Sequence, residues 1–220
     1  MKREIITTGD GSKTIQIKDW QEQYHSKHGA IQEAYHVFIH SGLALFKQQQ
    51  INILEIGFGT GLNAFITLIE SEKRNLNVNY TGVEAYPVSI EELKQLNYLE
   101  ELNSISRKDD FELMHKSPWN EKLKISSNFT LAKEQKFFKD IHDLDSYELI
   151  YFDAFGARVQ PELWTVEIFQ IMYNALKMNG YLVTYAAKGS VRRAMQEVGF
   201  VVERLPGPPG KREMLRAKKT

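Results

Sequence analysis

The residues best suited to chemistry form a glycine-rich loop, Leu54-Glu55-Ile56-Gly57-Phe58-Gly59-Thr60-Gly61-Leu62-Asn63. A short apolar run precedes this loop and a helical pattern follows it, which is the context that a nucleotide-binding loop requires. Glycines at alternate positions let the chain turn sharply and let a ligand approach the backbone. The dinucleotide fingerprint G-x-G-x-x-G would need a glycine where this chain has Leu62. The loop therefore predicts a nucleoside cofactor of another kind, with a purely structural turn as the alternative.

Two carboxylates at the ends of predicted strands complete this set of candidates. Glu84 lies 23 residues beyond Gly61, where nucleotide-binding sheets place an acid that hydrogen-bonds ribose hydroxyls. A solvated Glu84 is the alternative. Asp153 follows the apolar run at 148–152, and a carboxylate there is costly to bury without a partner. Asp153 therefore either acts on a ligand or caps the following turn.

The elements that must position these residues alternate between strand and helix from residue 51 onward. Such alternation predicts a mostly parallel sheet with helices on both faces, and ligands then bind beyond the carboxyl ends of the strands. The predicted strands are 51–56, 78–84, 129–132, 148–152 and 180–186, and a final antiparallel pair comprises 200–205 and 213–217. The predicted helices are 62–69, one from Pro87 towards Asn103, 136–142, 161–176 and 191–198. Residues 105–128 are weakly patterned and are expected to be irregular.

The first 50 residues differ from the rest and are expected to form an extension packed on a catalytic domain of residues 51–220. Extended runs at 5–7 and 14–17 flank Gly9-Asp10-Gly11, which is a hairpin turn signal. Apolar residues at helical spacing over 31–46 predict a helix after the hairpin.

Composition excludes several classes of function. The chain has no cysteine, which excludes disulfides, thiolate zinc sites and a cysteine nucleophile. No credible metal-ligand spacing occurs, no apolar run is long enough to span a membrane, and no export signal is visible, so we expect a cytoplasmic protein without a metal.

Charge is distributed unevenly although the net charge is zero. Residues 188–219 contain nine Lys or Arg against three Glu, and a basic end suits a polyanionic partner. Arg192, Arg193, Lys211 and Arg212 are therefore candidates for phosphate contacts. A solvated basic tail is the alternative.

Several segments together resemble one family over nearly the whole chain. They are Tyr24-His25-Ser26-Lys27-His28-Gly29-Ala30, the glycine loop, Asp153-Ala154-Phe155 with Pro161-Glu162-Leu163-Trp164-Thr165, Val191-Arg192-Arg193, and Gly210-Lys211-Arg212-Glu213. The loop spacing E-x-G-x-G-x-G is similar to motif I of class I methyltransferases. The combination resembles the MnmD, or MnmC N-terminal, methyltransferases, which complete 5-methylaminomethyl-2-thiouridine at the tRNA wobble position.

This resemblance implies a class I Rossmann-like methyltransferase fold with a mostly parallel, seven-stranded sheet, S-adenosyl-L-methionine as cofactor and tRNA as substrate. It implies that Asp153 contacts the acceptor amine. The cofactor would be bound by the loop and the nearby acids, namely Glu55, Gly57, Gly59, Gly61, Asn63 and Glu84. Tyr24 and His25 would help to close the site, with Phe155 beside the substrate; local packing is the alternative for the first two.

Two departures from the family pattern matter. Relatives often carry a Gly-Asp pair near the adenine, whereas this chain has Leu131-Ala132-Lys133-Glu134, which leaves Glu134 as a weak substitute. Many relatives also carry an FAD-dependent oxidoreductase domain that prepares the amine. We expect this chain to lack that domain, so a separate enzyme would supply the aminomethyl group.

Two other functions stay open on the sequence. A spermidine-synthase-like aminopropyltransferase shares the fold type and an acidic fourth-strand end, although the basic segment would repel a polyamine. A non-catalytic nucleoside-binding or RNA-binding module would use the same loop without turnover.

Overall fold

The computed structural model describes residues 2–47 and 50–220. The chain begins with a small antiparallel sheet whose strands are β1 (Arg3–Thr7), β2 (Lys13–Ile17) and β3 (Glu22–Gln23). Ile5 pairs with Ile15 across the predicted hairpin. The boundary expected at residue 50 adjoins Gln48 and Gln49, which lie outside the described residues, as does Met1.

An eight-stranded sheet forms the centre of the molecule, in the spatial order β10-β11-β9-β8-β4-β5-β7-β6. Only β6 and β11 run against the other six strands. The strands are β4 (Gln50–Ile56), β5 (Asn77–Val83), β6 (Lys122–Lys124), β7 (Phe129–Glu134), β8 (Tyr147–Phe152), β9 (Leu176–Thr184), β10 (Val201–Pro206) and β11 (Glu213–Lys218). The mostly parallel α/β architecture is confirmed, but the expected count of seven strands is wrong by one. The additional strand, β6, pairs antiparallel with β7 at the sheet edge.

Seven α-helices and several short 3-10 turns occur in the described residues. The α-helices are α1 (Ala30–Ala34), α2 (Leu62–Lys73), α3 (Ile90–Leu93), α4 (Tyr98–Glu101), α5 (Lys108–Lys116), α6 (Val166–Ala175) and α7 (Gly189–Glu197). None of the helices in the described part of the chain is both long enough and apolar enough to cross a membrane.

The single helix expected from Pro87 towards Asn103 is wrong, because the chain forms α3 and α4 instead. Ser89 and Glu92 form a capping box that starts α3 beyond the proline. Asn97 then interrupts the helix, since its side chain accepts from Lys13 N at 2.7 Å and donates to the Gly11 carbonyl at 3.0 Å. A tertiary contact with the N-terminal hairpin thus outweighs local helix propensity.

Three further expectations need correction. Residues 105–128 are not irregular, because they contain α5 and β6; α5 is anchored by buried Met114 and by Phe111, 4.9 Å from the Phe65 ring. The helix expected at 136–142 is only a 3-10 turn, Phe138–Asp140. The helix expected at 31–46 is α1 continued as a π-helix, Tyr35–His40, and a separate turn follows.

The core consists of two apolar layers, one on each face of the large sheet. Adjacent residues of a strand point to opposite faces, so Tyr151 joins the layer under α2 while Phe152 joins the layer under α6. Phe65 of α2 and Phe169 of α6 are fully buried in their respective layers. Burial on both faces explains why most residues of β4 and β8 are apolar.

Parallel register brings the candidate residues to one edge of this sheet. Ile56 at the end of β4 pairs with Val83 of β5 on one side and with Phe152 of β8 on the other. The residues that follow these strand ends, Gly57, Glu84 and Asp153, must therefore lie together.

Candidate functional site

A cavity of about 630 Å³ opens at this edge of the sheet. Its floor contains Gly57, Gly59, Glu84 and Asp153. Its cover comes from two segments that are distant in sequence, residues 20–28 before α1 and the turn between β10 and β11. A volume of this size is typical of sites for small ligands.

The glycine loop adopts a conformation that side chains would obstruct. Gly57, Gly59 and Gly61 have φ angles of 90°, 50° and 74°, in the left-handed region that glycine tolerates best. A Cβ atom on Gly57 would lie 2.7 Å from the carbonyl oxygen of Asp153. The loop thus combines left-handed turns with close backbone packing, while Gly57 and Gly59 line the cavity and Gly61 starts α2.

Glu84, which directly follows β5, anchors the glycine loop to the end of that strand. Its Oε2 accepts from Gly59 N at 3.1 Å and its Oε1 accepts from Tyr86 N at 2.9 Å. A carboxylate has about four acceptor positions, so these two bonds leave capacity for the hydroxyls of a ligand. Glu84 is therefore not simply a solvated surface residue.

A buried polar network lies beneath the cavity floor. Asn63 Nδ2 donates to Glu55 Oε1 at 2.9 Å and to Asp153 Oδ2 at 2.8 Å. Burial raises the pKa of Glu55 well above its ordinary value, the Asn63 hydrogen bond opposes the rise, and Asp153 adds to it. Neither Glu55 nor Asn63 lines the cavity. Asn63 therefore links the two carboxyl groups and orients Asp153 from below.

Asp153 is the acid that this network presents to the cavity. Burial raises its pKa from 3.8 to about 7, and the nearby Glu33 adds to the rise, while Asn63 and Lys211 oppose it. A carboxylate with a pKa close to neutrality can both accept and release a proton under physiological conditions. The geometry and the ionisation of Asp153 are therefore suited to general-base chemistry.

Two charged residues of the cavity wall were not predicted to lie there. Glu33 was not among the site residues predicted from sequence, and Lys211 was predicted to contact phosphates at the surface. Lys211 Nζ donates to Glu33 Oε2 at 2.5 Å and sits 3.8 Å from the centroid of the Tyr185 ring. Tyr185 in turn donates to the Ala154 carbonyl at 2.8 Å. All three side chains line the cavity. Lys211, expected on phosphates outside, thus faces the site inside.

Aromatic rings form one wall of the cavity. Phe155 makes edge-to-face contacts with Trp20 at 5.6 Å and with Tyr24 at 5.0 Å between ring centroids. Trp164 Nε1 donates to the Phe155 carbonyl at 2.8 Å, which fixes the backbone after Asp153. The predicted pair Tyr24 and Phe155 therefore lies together, with Trp20 as an additional member.

His25 borders the cavity, but its ring is engaged elsewhere. Its Nδ1 lies 3.0 Å from Thr14 Oγ1 of β2. Burial lowers the pKa of His25 to about 4, with a small opposing effect from Asp10, so the ring is neutral near pH 7. His25 therefore connects the cover segment to the small sheet and is poorly placed for proton transfer.

Beyond Glu84, the end of the cavity next to β5 and β7 is lined by aromatic residues and not by Glu134. Glu134 is outside the cavity wall and forms an ion pair with Lys136 at 2.7 Å. Tyr86 and Phe137 line this end instead, 6.1 Å apart and 59% and 50% exposed. The only sequence signal for them is an aromatic residue shortly after each of two strand ends.

The remaining basic candidates lie outside the cavity. Arg192 and Arg193 belong to α7, and Arg193 and Arg212 are exposed. Across residues 2–47 and 50–220, no group of three His, Cys, Asp or Glu side chains is arranged to hold a metal ion.

Comparison with known proteins relates this arrangement to methyl transfer. Residues 114–220 match the family model described as S-adenosyl-L-methionine-dependent methyltransferase. The tRNA 5-methylaminomethyl-2-thiouridine biosynthesis bifunctional protein MnmC of Cupriavidus necator is 31% identical over 208 residues, which is 89% of this chain and 31% of that protein. The protein of the same name from Leptospira borgpetersenii is 29% identical, with 89% and 32% covered. The chain thus spans about a third of the length of the curated relatives it matches.

Solved structures give the same relationship at the level of the fold. MnmC2 from Aquifex aeolicus superimposes with a TM-score of 0.79 at 27% identity, covering 100% of this chain and 70% of that one. Spermidine synthase from Thermotoga maritima superimposes with a TM-score of 0.59 at 13% identity, covering 99% and 72%. The second likeness shows the fold alone. Together with the first, it confirms the predicted Rossmann-like class.

Proposed function

Because residues 114–220 match the S-adenosyl-L-methionine-dependent methyltransferase family model and the chain is similar to the MnmC proteins, we propose that it is a methyltransferase of this kind and that it methylates the aminomethyl nitrogen of 5-aminomethyl-2-thiouridine at the tRNA wobble position. The product is 5-methylaminomethyl-2-thiouridine. The observation that carries this proposal is Asp153, an acid with a pKa raised to about 7, beside the glycine loop and facing the cavity.

The residues at the floor of the cavity fit the cofactor. Gly57 and Gly59 line the cavity with backbone. Glu84 has acceptor positions left for ribose hydroxyls, and Tyr86 and Phe137 offer faces for an adenine ring. When bound, S-adenosyl-L-methionine supplies a sulfonium methyl group that a neutral amine can attack.

The task of the protein is then to deliver the acceptor amine without its extra proton. An alkyl amine has a pKa of about 10.4, so the neutral form is disfavoured by about 4 to 5 kcal/mol at pH 7. Asp153 can hydrogen-bond the amine and accept its proton, and the apolar wall around Phe155 disfavours the charged ammonium. Positioning and exclusion of water supply the rest of the acceleration.

The substrate assignment draws on the names of the relatives and on charge. The MnmC proteins are named for 5-methylaminomethyl-2-thiouridine biosynthesis in tRNA. We propose that the tRNA backbone contacts Arg192, Arg193 and Arg212 while the wobble base enters beside Tyr24 and Phe155. Formation of the aminomethyl group is different chemistry, so we propose that another active site supplies it.

A radiolabel experiment tests the proposal. The protein is incubated with methyl-labelled S-adenosyl-L-methionine and tRNA carrying 5-aminomethyl-2-thiouridine, and the digested nucleosides are separated. We expect label in 5-methylaminomethyl-2-thiouridine, and at least about a 100-fold loss of rate in Asp153→Asn with cofactor binding retained. No label in tRNA, or label in another nucleoside, would refute the assignment. A parallel reaction with putrescine and decarboxylated cofactor tests the aminopropyltransferase alternative.

A further inference from the structure

An ion pair inside the cavity joins parts of the chain that are 178 residues apart, Glu33 of α1 and Lys211 of the turn between β10 and β11. Glu33 is buried, and its Oε1 also accepts from Ser26 N at 3.3 Å. Lys211 lies over the Tyr185 ring, which is itself fixed by the Ala154 carbonyl. Both partners are therefore held in place from two sides.

The turn that carries Lys211 is packed closely against the other cover segment. Gly210 has a φ of 82°, and a Cβ atom there would lie 2.3 Å from Cδ2 of His28. Lys211 N donates to the Pro208 carbonyl at 2.9 Å, which closes the turn. The position of the lysine therefore depends on tight packing and not on a flexible surface loop.

Several other charged and titratable groups lie around the Glu33–Lys211 ion pair, on the elements that pack against it. Those that act on Asp153 or lie nearest to it are Glu33, Glu55, Tyr80, Tyr185 and Lys211. Two further groups lie close to the neighbours of Lys211: Glu22 of β3 acts on Tyr185, and His28 packs against Gly210. Lys211 is the cation among these groups that acts on Asp153.

We propose that the Glu33–Lys211 ion pair is a positioning device that sets the protonation of Asp153, and through it that of the acceptor amine. The negative charge of Glu33 disfavours ionisation of Asp153, whereas the positive charge of Lys211 favours it. Loss of one partner leaves the other uncompensated, so the two single substitutions must act in opposite directions. The role in acceptor chemistry rests on the proposed function, but the effect on Asp153 does not.

The test measures the titration of Asp153 directly by carboxyl ¹³C NMR in the ligand-free protein. We expect Lys211→Met to raise the Asp153 midpoint and Glu33→Gln to lower it, each by about 1 pH unit for partly screened charges within one cavity. The double variant should return close to the wild-type midpoint. Lys211→Arg keeps the charge and should change the midpoint by less than about 0.3 units. Arg212→Gln, at the exposed neighbouring position, is the matched control and should leave it unchanged.

The pH dependence of methyl transfer gives the functional counterpart. The acid limb of kcat should move to higher pH in Lys211→Met and to lower pH in Glu33→Gln, in the same order as the NMR midpoints. Shifts of the same sign, or none, would overturn the proposal. So would a Lys211→Met variant that changes only tRNA affinity and its salt dependence, because that result assigns Lys211 to phosphate binding.

If Glu33→Gln does not fold, the comparison of the Asp153 midpoints of Lys211→Met and Lys211→Arg tests the proposal alone. Wild-type protein without tRNA activity would refute the proposed function and still leave the NMR titration readable.

Discussion

Replacing Asp153 by asparagine should make the protein more stable at alkaline pH, while it should make the protein inactive. Burial and Glu33 raise the pKa of this carboxyl from 3.8 to about 7, so the folded protein retains a proton that the unfolded chain has already released. The stability contributed by such a raised pKa is fully present below the unfolded value and is lost as the pH rises through the folded value. Asparagine does not titrate, so it avoids this loss.

The size of the stability change depends on the pH interval over which residue 153 is protonated in the folded protein but ionised in the unfolded chain. Between pH 5 and a folded pKa of about 7, the ceiling is about 2.7 kcal/mol at about 1.36 kcal/mol per unit. Asp153 lines the cavity and is only partly buried, so screening reduces the ceiling by about half. The free energy of unfolding of Asp153→Asn should therefore gain about 1 to 1.5 kcal/mol relative to wild type between pH 5 and pH 8. Asn63 can still donate to the new amide oxygen.

Urea unfolding of both proteins at pH 5 and pH 8 measures this difference. All other titrating groups are shared, so the change in the difference isolates residue 153. Asp140→Asn, at an exposed position of a 3-10 turn, is the matched control and should give the same difference at both values within about 0.5 kcal/mol. A stability gain for Asp153→Asn that is equal at pH 5 and pH 8, or a loss at pH 8, would refute the idea that the ionised, desolvated carboxylate of Asp153 destabilises the folded protein.

Three further predictions concern the cofactor and the RNA. Gly57→Ala should abolish cofactor binding in calorimetry with the circular dichroism spectrum retained, since its Cβ would lie 2.7 Å from a carbonyl oxygen at a φ of 90°; binding within threefold of wild type would contradict this. Glu134→Gln should leave cofactor affinity within about threefold of wild type, whereas Tyr86→Ala should weaken it at least about tenfold through loss of aromatic contact; the reverse order would restore Glu134 as the adenine ligand. Joint replacement of Arg192 and Arg193 by Gln should reduce the slope of log affinity for tRNA against log salt by about 1.5 to 2 and leave cofactor binding unchanged; an unchanged slope would remove α7 from the RNA interface.

The sequence predicted those parts of the fold well in which the local residue pattern and the tertiary packing favour the same secondary structure. The runs that became β4 and β8 are mostly apolar because both faces of the sheet are covered. The glycine loop and Asp153 follow these strands directly, so their positions were predictable from the strand ends. The sheet edge that carries the site was therefore accessible without a structure.

The errors arose where a few distant contacts decide the local structure. Asn97 ends a helix because it bonds to the N-terminal hairpin, and α5 forms with Met114 as its one buried residue. Lys211 looked like any exposed cation in a basic segment, and only the packing of Gly210 on His28 directs it inward. The role of Glu33 could not be predicted from its own segment, because it depends on a partner that is 178 residues away.

The order of strands in the large sheet has a consequence for biosynthesis. β11 lies between β9 and β10, both of which precede it in the chain. During translation β9 and β10 emerge first, and β9 keeps an open edge of unpaired N–H and C=O groups until residues 213–218 leave the ribosome. A nascent chain paused before that point exposes a template for pairing with other chains. Completion of the sheet is thus a late insertion, and the same step delivers Lys211 to the cavity.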